Sequence, residues 1–213
     1  MKKNIYIFSG LGADGRMFQK LDFSGYTAIH ILWQTPLSYE TIEQYTSRLL
    51  DQVLTNKPIL IGLSFGGMIA IEAAKQINTE KVILISSAKT KNEIPFYYRI
   101  FGKLILHKIL PSRLMRHSNF IIHWFFGISA SVDKALLRKI LEDSDPIFMK
   151  WAIDKILRWE NSIEPNHCEH IHGTSDRIIP YRNVTCNHKI IGGGHFMTVN
   201  KSEDIKSKIR DLL

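Results

Sequence analysis

Apolar and polar positions along the chain change their period in an orderly way. Residues 5–9 form a short β-rich run that stops at the turn sequence SGLGADG, and residues 28–33 form a second, closed by Thr35-Pro36. Ile42, Tyr45, Leu49, Leu50 and Val53 then recur with a period of about 3.6 residues, which predicts an amphipathic helix. After Pro58, residues 59–63 are apolar apart from one glycine, as expected of a strand covered on both faces of a parallel sheet. Met68, Ile69, Ile71, Ala74 and Ile77 mark the helix that follows, and residues 82–86 the next strand. Strands alternating with helices imply right-handed crossovers and a mostly parallel central sheet flanked by helices, an α/β fold.

The alternation stops after Ala88. Residues from about 94 to 160 carry helical stretches and no convincing strand, with Pro95, Pro111 and Pro146 at expected helix starts. Strand signals return at 168–172 and 186–191, and the chain closes with a helix whose Asn200 and Glu203 have capping-box spacing. The pattern predicts a core of residues 1–88 and 161–213 interrupted by a helical insertion, 89–160.

Composition narrows the class. Hydrophobic residues make up 45% of the 213 and charged residues 23%, an ordinary globular balance. Apolar runs fall far short of the ~20 residues that span a bilayer, and the run after the initial MKK breaks at Ser9-Gly10, too early for an export signal, so a cytoplasmic protein without stable membrane insertion is expected. Cys168 and Cys186 fit neither a C-x-x-C nor a zinc spacing, and no metal is expected. The net charge of +8 is concentrated: Lys89, Lys91, Arg99, Lys103, Lys108, Arg113 and Arg116 face one acid, Glu93, leaving +6 in that segment. No nucleic-acid-binding motif accompanies it, so no nucleic-acid partner is expected.

The chemistry lies at the strand ends. Residues 59–63 run directly into Gly62-Leu63-Ser64-Phe65-Gly66-Gly67 and a helix. A serine hydroxyl becomes an effective nucleophile when a tight strand-to-helix turn presents it at the top of a sheet, and such a turn needs small residues two positions before and after it. A base and an orienting acid should follow in the order acid, then histidine. Asp176 lies beyond the strand at 168–172, in GTSDRIIP, and His195 follows the last strand, in GGGHF. Glu93 is the alternative acid. Backbone amides of Phe65 and of Leu11, in the loop after the first strand, are the expected oxyanion hole. Asp14-Gly15 reads as a turn or helix cap, His172 as a strand end, and His107, His117 and His123 as members of the helical insertion.

The motifs FSGLGADGRMF, LIGLSFGGM, IHGTSDRIIP and GGGHFM, in this order, resemble those of the α/β-hydrolase superfamily and are similar to those of small bacterial carboxylesterases. The resemblance implies a Ser64-His195-Asp176 triad, no cofactor, and a helical lid between the strands near Val82 and Cys168. With serine as nucleophile, epoxide hydrolases and haloalkane dehalogenases are disfavoured. The expected activity is hydrolysis of a carboxylic ester through an acyl-enzyme. A thioester substrate, a non-catalytic receptor and carbon–carbon bond hydrolysis are the alternatives on the same scaffold. In the insertion, Tyr97, Tyr98 and Phe101 form an apolar stripe expected to line an acyl pocket, and Arg99 and Lys103 form a basic face suited to an anionic acyl carrier.

Overall fold

The computed structural model describes residues 2–103 and 119–213. Strands β1 (Lys3–Phe8), β2 (Tyr26–His30), β3 (Ile59–Leu63), β4 (Lys81–Ile85), β5 (Cys168–Gly173) and β6 (His188–Ile190) pair in parallel throughout, in the order β2-β1-β3-β4-β5-β6. Helix α1 (Ile42–Leu49) precedes β3 and α2 (Phe65–Ala74) follows it. Between β4 and β5 stand α3 (Phe96–Lys103), α4 (Phe120–Phe126), α5 (Ser131–Asp143) and α6 (Pro146–Leu157), and α7 (Met197–Asn200) and α8 (Ser202–Leu212) close the chain.

Strand residues alternate between two cores. Ile5, Ile7, Ile59, Ile61, Leu63, Ile83 and Ile85 face the layer containing Ile205 and Ile209 of α8. Tyr6, Phe8, Leu60, Val82 and Leu84 face α1 and α2. Every residue of β3 is buried, which is why its sequence reads as one apolar run. The α2 helix is buried almost all round, including Glu72, whose carboxylate accepts from Trp159 Nε1 at 2.9 Å.

The elements lie where the periodicity predicts them, with differences at their ends: α2 stops at Ala74, short of Ile77, and β6 covers only His188–Ile190 of the expected 186–191. The α1 helix ends at Leu49 and tightens into a 3-10 turn, Leu50–Gln52, before Val53 turns extended. The second strand begins at Tyr26 and ends at His30, so only part of 28–33 is paired, as an edge strand. The predicted cap at Asn200 is absent: Asn200 ends α7 and its amide donates to the Gly127 carbonyl at 3.1 Å, while Lys201 begins α8 with no side-chain cap. A complete capping box stands instead at α1, where the Thr41 hydroxyl accepts from Gln44 N and the Gln44 side chain accepts from Thr41 N. Among the described residues, no single helix is long and apolar enough to cross a membrane.

The sheet register aligns the ends that matter. Phe8 pairs with Gly62, Leu63 with Ile85 and Ile85 with Ile171, so the loops after β1, β3 and β5 leave the same edge of the sheet. The strand order reverses direction between β1 and β3, and a parallel sheet leaves its crevice at such a switch point.

Candidate active site

Ser64 occupies the sharp turn between β3 and α2 with φ 52° and ψ −119°, in a region that non-glycine residues rarely enter. The turn is pinned on both sides: Ser64 N donates to Ile85 O at 2.9 Å, and Ser64 O accepts from Gly67 N at 2.9 Å and from the Ser87 hydroxyl at 2.7 Å. Its tightness depends on two glycines. A Cβ on Gly66 would collide with the carbonyl oxygens of Phe8 and Ser9, and one on Gly62 with the backbone of Gly66 and Gly67. Both obstacles are backbone, so neither can swing aside. Gly66→Ala is therefore expected to cost about 1–3 kcal/mol through overpacking, read as a lower denaturation midpoint; an unchanged midpoint would mean that the turn relaxes freely.

His195 and Asp176 reach the serine from the loops after β6 and β5. His195 Nδ1 lies 2.8 Å from Asp176 Oδ2, and Nε2 lies 2.8 Å from Ser64 Oγ. The other carboxylate oxygen of Asp176 accepts from the backbone N–H of Ile178 and of Ile179, each at 2.9 Å. Burial pushes the Asp176 carboxyl up, but His195, through its charge and its hydrogen bond, outweighs burial with help from His172 and the Ile179 amide and holds the group below the ordinary carboxylate range. An ionised carboxylate only accepts, so in the neutral imidazole the proton sits on His195 Nδ1 and Nε2 is the acceptor facing the serine hydroxyl. The two loops are locked together by close backbone approach, Ser175 N donating to Gly193 O at 2.9 Å and Gly173 lying against Gly193.

The Phe65 amide is at the first position of α2, where an N–H has no intrahelical acceptor, and the positive end of the helix dipole faces Ser64. Leu11 borders the same space from the loop after β1, a loop held by Ala13 N donating to Gly10 O at 3.0 Å. Asp14 caps the 3-10 turn Gly15–Phe18 and pairs with Arg16, as its turn reading predicts. Glu93 is remote from this chain of hydrogen bonds: its oxygens accept from Lys89 N at 2.6 Å and Thr185 N at 2.9 Å, tying the segment after β4 to the loop after β5.

A cavity of about 240 Å³ borders Ser64 and His195. It is lined by residues that sequence periodicity did not single out, among them Met17, Phe126, Leu137, Ile140, Met149 and Ile153. Tyr97, Tyr98 and Phe101 are not among its lining side chains. Their helix α3 packs against α6, Tyr98 sits against the core layer of α1 and α2, and Phe101 is half exposed. Tyr98 nevertheless lies within electrostatic reach of Asp176, so the helix stands beside the site without lining this cavity. The basic segment is also different from its expected form. Lys89 pairs with Glu164 at 2.5 Å and Lys91 with Glu160 at 2.6 Å, and Arg99 is partly buried. The Lys103 side chain and His107, Lys108, Arg113, Arg116 and His117 lie outside the described residues, as does Pro111.

Sequence reasoning missed a buried histidine pair behind Asp176. His172 Nε2 lies 2.8 Å from the Ile179 carbonyl, which only accepts, so in the neutral ring this nitrogen bears the proton; its Nδ1 lies 3.1 Å from His170 Nε2, and His170 Nδ1 lies 3.4 Å from the Thr185 carbonyl. Burial, with the neighbouring His172, pushes His170 down from 6.5 to about 3, and burial lowers His172 as well. Below the ordinary value the unfolded chain binds protons that the folded chain refuses, so stability should fall as pH drops from about 6.5 toward about 3. His170→Gln is expected to flatten that part of the denaturation-versus-pH curve; an unaltered slope would place the acid sensitivity elsewhere.

A profile of the alpha/beta hydrolase family matches residues 7–205. No curated protein matches by sequence. Similar solved structures include a thermophilic esterase from Thermogutta terrifontis (TM-score 0.74, 16% identity, 99% of this chain and 89% of that one). A bromoperoxidase from Bacillus anthracis is also similar (TM-score 0.69, 17% identity, 100% and 92%). So is an enol-lactonase from Burkholderia xenovorans LB400 (TM-score 0.68, 16% identity, 100% and 91%). At these identities the likeness is one of fold.

Proposed function

Since the chain belongs to the alpha/beta hydrolase family, we propose that it is a serine hydrolase that cleaves carboxylic esters through an acyl-enzyme, with Ser64, His195 and Asp176 as its triad. The observation that carries this reading is the unbroken path from Asp176 through His195 to the Ser64 hydroxyl, with both links at 2.8 Å. Ser64 Oγ attacks the ester carbonyl carbon as its proton passes to His195 Nε2. The resulting oxyanion is held by the amides of Phe65 and Leu11. His195 returns the proton to the departing alkoxide as the carbon–oxygen bond breaks, leaving the acyl group on Ser64. Water then attacks the acyl carbon, giving its proton to Nε2, and the acid leaves as Ser64 recovers a proton.

In this reading residues 89–160 act as a lid on a core of 1–88 and 161–213, since α4, α5 and α6 supply side chains to the cavity beside Ser64. Two unpaired cysteines suit a cytoplasmic setting. The test is a rate panel of esters and thioesters of graded acyl length. Ester turnover is the expected result, thioester-only turnover would reassign the substrate, and a folded protein inert toward both would overturn the proposal.

A further inference from the structure

The cavity beside Ser64 has a chemical character that narrows the substrate beyond "ester". We propose that it takes an uncharged acyl chain of medium length, an inference that rests on the serine-hydrolase reading above. The cavity borders both Ser64 and His195, so an acyl group attached to Ser64 has direct entry. Beyond those two residues, every described side chain that lines it is apolar. Its walls come from separate elements: Met17 from the 3-10 turn, Phe126 from α4, Leu137 and Ile140 from α5, Met149 and Ile153 from α6.

The charges next to these walls in sequence do not line the cavity, and Arg138, Lys139 and Glu142, beside Leu137, Ile140 and Leu141, are exposed. Arg16, next to Met17, is forked between Asp14 at 2.7 Å and Asp143 at 2.8 Å. Lys150, next to Met149, lines a different depression with Glu40, Asp154 and Arg158. The single proton of the Ser144 hydroxyl is shared between two carbonyls, Gly12 O at 2.8 Å and Ile140 O at 2.6 Å. Among the described residues, no charged side chain and no side-chain donor other than those of Ser64 and His195 lines the cavity, so a carboxylate at the far end of an acyl chain would be buried there unpaired, at a cost of several kcal/mol. Size sets the other limit. At ~30 Å³ per group, the volume share of one water molecule, 240 Å³ holds about eight methylene-sized groups.

The experiment compares p-nitrophenyl esters from acetyl to dodecanoyl with esters of the same lengths that end in a free carboxylate, in the wild type and in Leu137→Phe. Fluorophosphonate labelling of Ser64 runs in parallel. The expected kcat/KM optimum is at hexanoyl to octanoyl, the terminal carboxylate should lower it by about 10²-fold or more, and Leu137→Phe should move the optimum to shorter chains. A flat length profile, or carboxylated esters that match neutral ones, in a protein whose Ser64 still takes the probe would overturn this inference and leave the hydrolase reading standing. Absence of both labelling and turnover would overturn that reading, and this inference with it. If Leu137→Phe does not fold, Leu137→Met keeps the test open, since the wild-type length profile and the carboxylate penalty are independent of the variant.

Discussion

Ser64→Ala is expected to lower ester turnover by several orders of magnitude, on the scale of the ~10⁶-fold loss that follows removal of one member of a catalytic unit. The expectation rests on what alanine leaves in place. The backbone of the turn is held by the Ile85 carbonyl, the Gly67 amide and the Ser87 hydroxyl, none of which uses Ser64 Oγ. The variant should therefore fold with an unchanged denaturation midpoint while losing the atom that would attack the substrate. The strained φ of 52° is still present with alanine, so strain relief contributes nothing to the comparison. A fluorophosphonate probe should label the wild type and not the variant. Equal labelling of both would put the nucleophile at another residue.

Legibility in the sequence followed the range of the interaction that fixes each feature. The β3 run was readable because burial on both faces makes every position apolar, and the turn at Ser64 because a backbone collision leaves no choice but glycine at 62 and 66. The order of Asp176 and His195 was readable because each follows a strand that ends at the same edge of the sheet. The cavity walls were not. Leu137, Ile140 and Leu141 have the helical spacing that any core-facing helix has, and only packing decides that this face meets Ser64 while the stripe at Tyr97, Tyr98 and Phe101 does not. The cap at Asn200 failed for a related reason: a local motif lost its side chain to a tertiary acceptor, Gly127 O. The strand period of two puts His170 and His172 on one face, but their burial together and the partner at the Ile179 carbonyl depend on tertiary packing that the sequence pattern does not show.

The same distinction between local and tertiary partners sets the outcome at the acid. Asp176→Asn should reduce kcat by about 10⁴-fold, and the geometry says why an isosteric amide is so poor a substitute. One oxygen of Asp176 accepts from two backbone amides, Ile178 N and Ile179 N, and the other faces His195 Nδ1. In asparagine only one of these positions can be an oxygen. Turning the amide nitrogen toward Ile178 and Ile179 would oppose donor to donor twice in a buried site, so the carbonyl oxygen takes that side and the nitrogen faces His195. Its N–H then donates to Nδ1, the imidazole proton moves to Nε2, and the ring can no longer accept the Ser64 proton. The loss should fall on kcat and leave the fold intact, because the contacts that shape the 176–179 turn are retained. Glu93→Gln is the control: its carboxylate serves Lys89 N and Thr185 N, away from His195, so turnover should change little. Full activity in Asp176→Asn together with a large loss in Glu93→Gln would move the acid to the segment after β4, and the hydrogen-bonded path through His195 Nδ1 would then have no catalytic part.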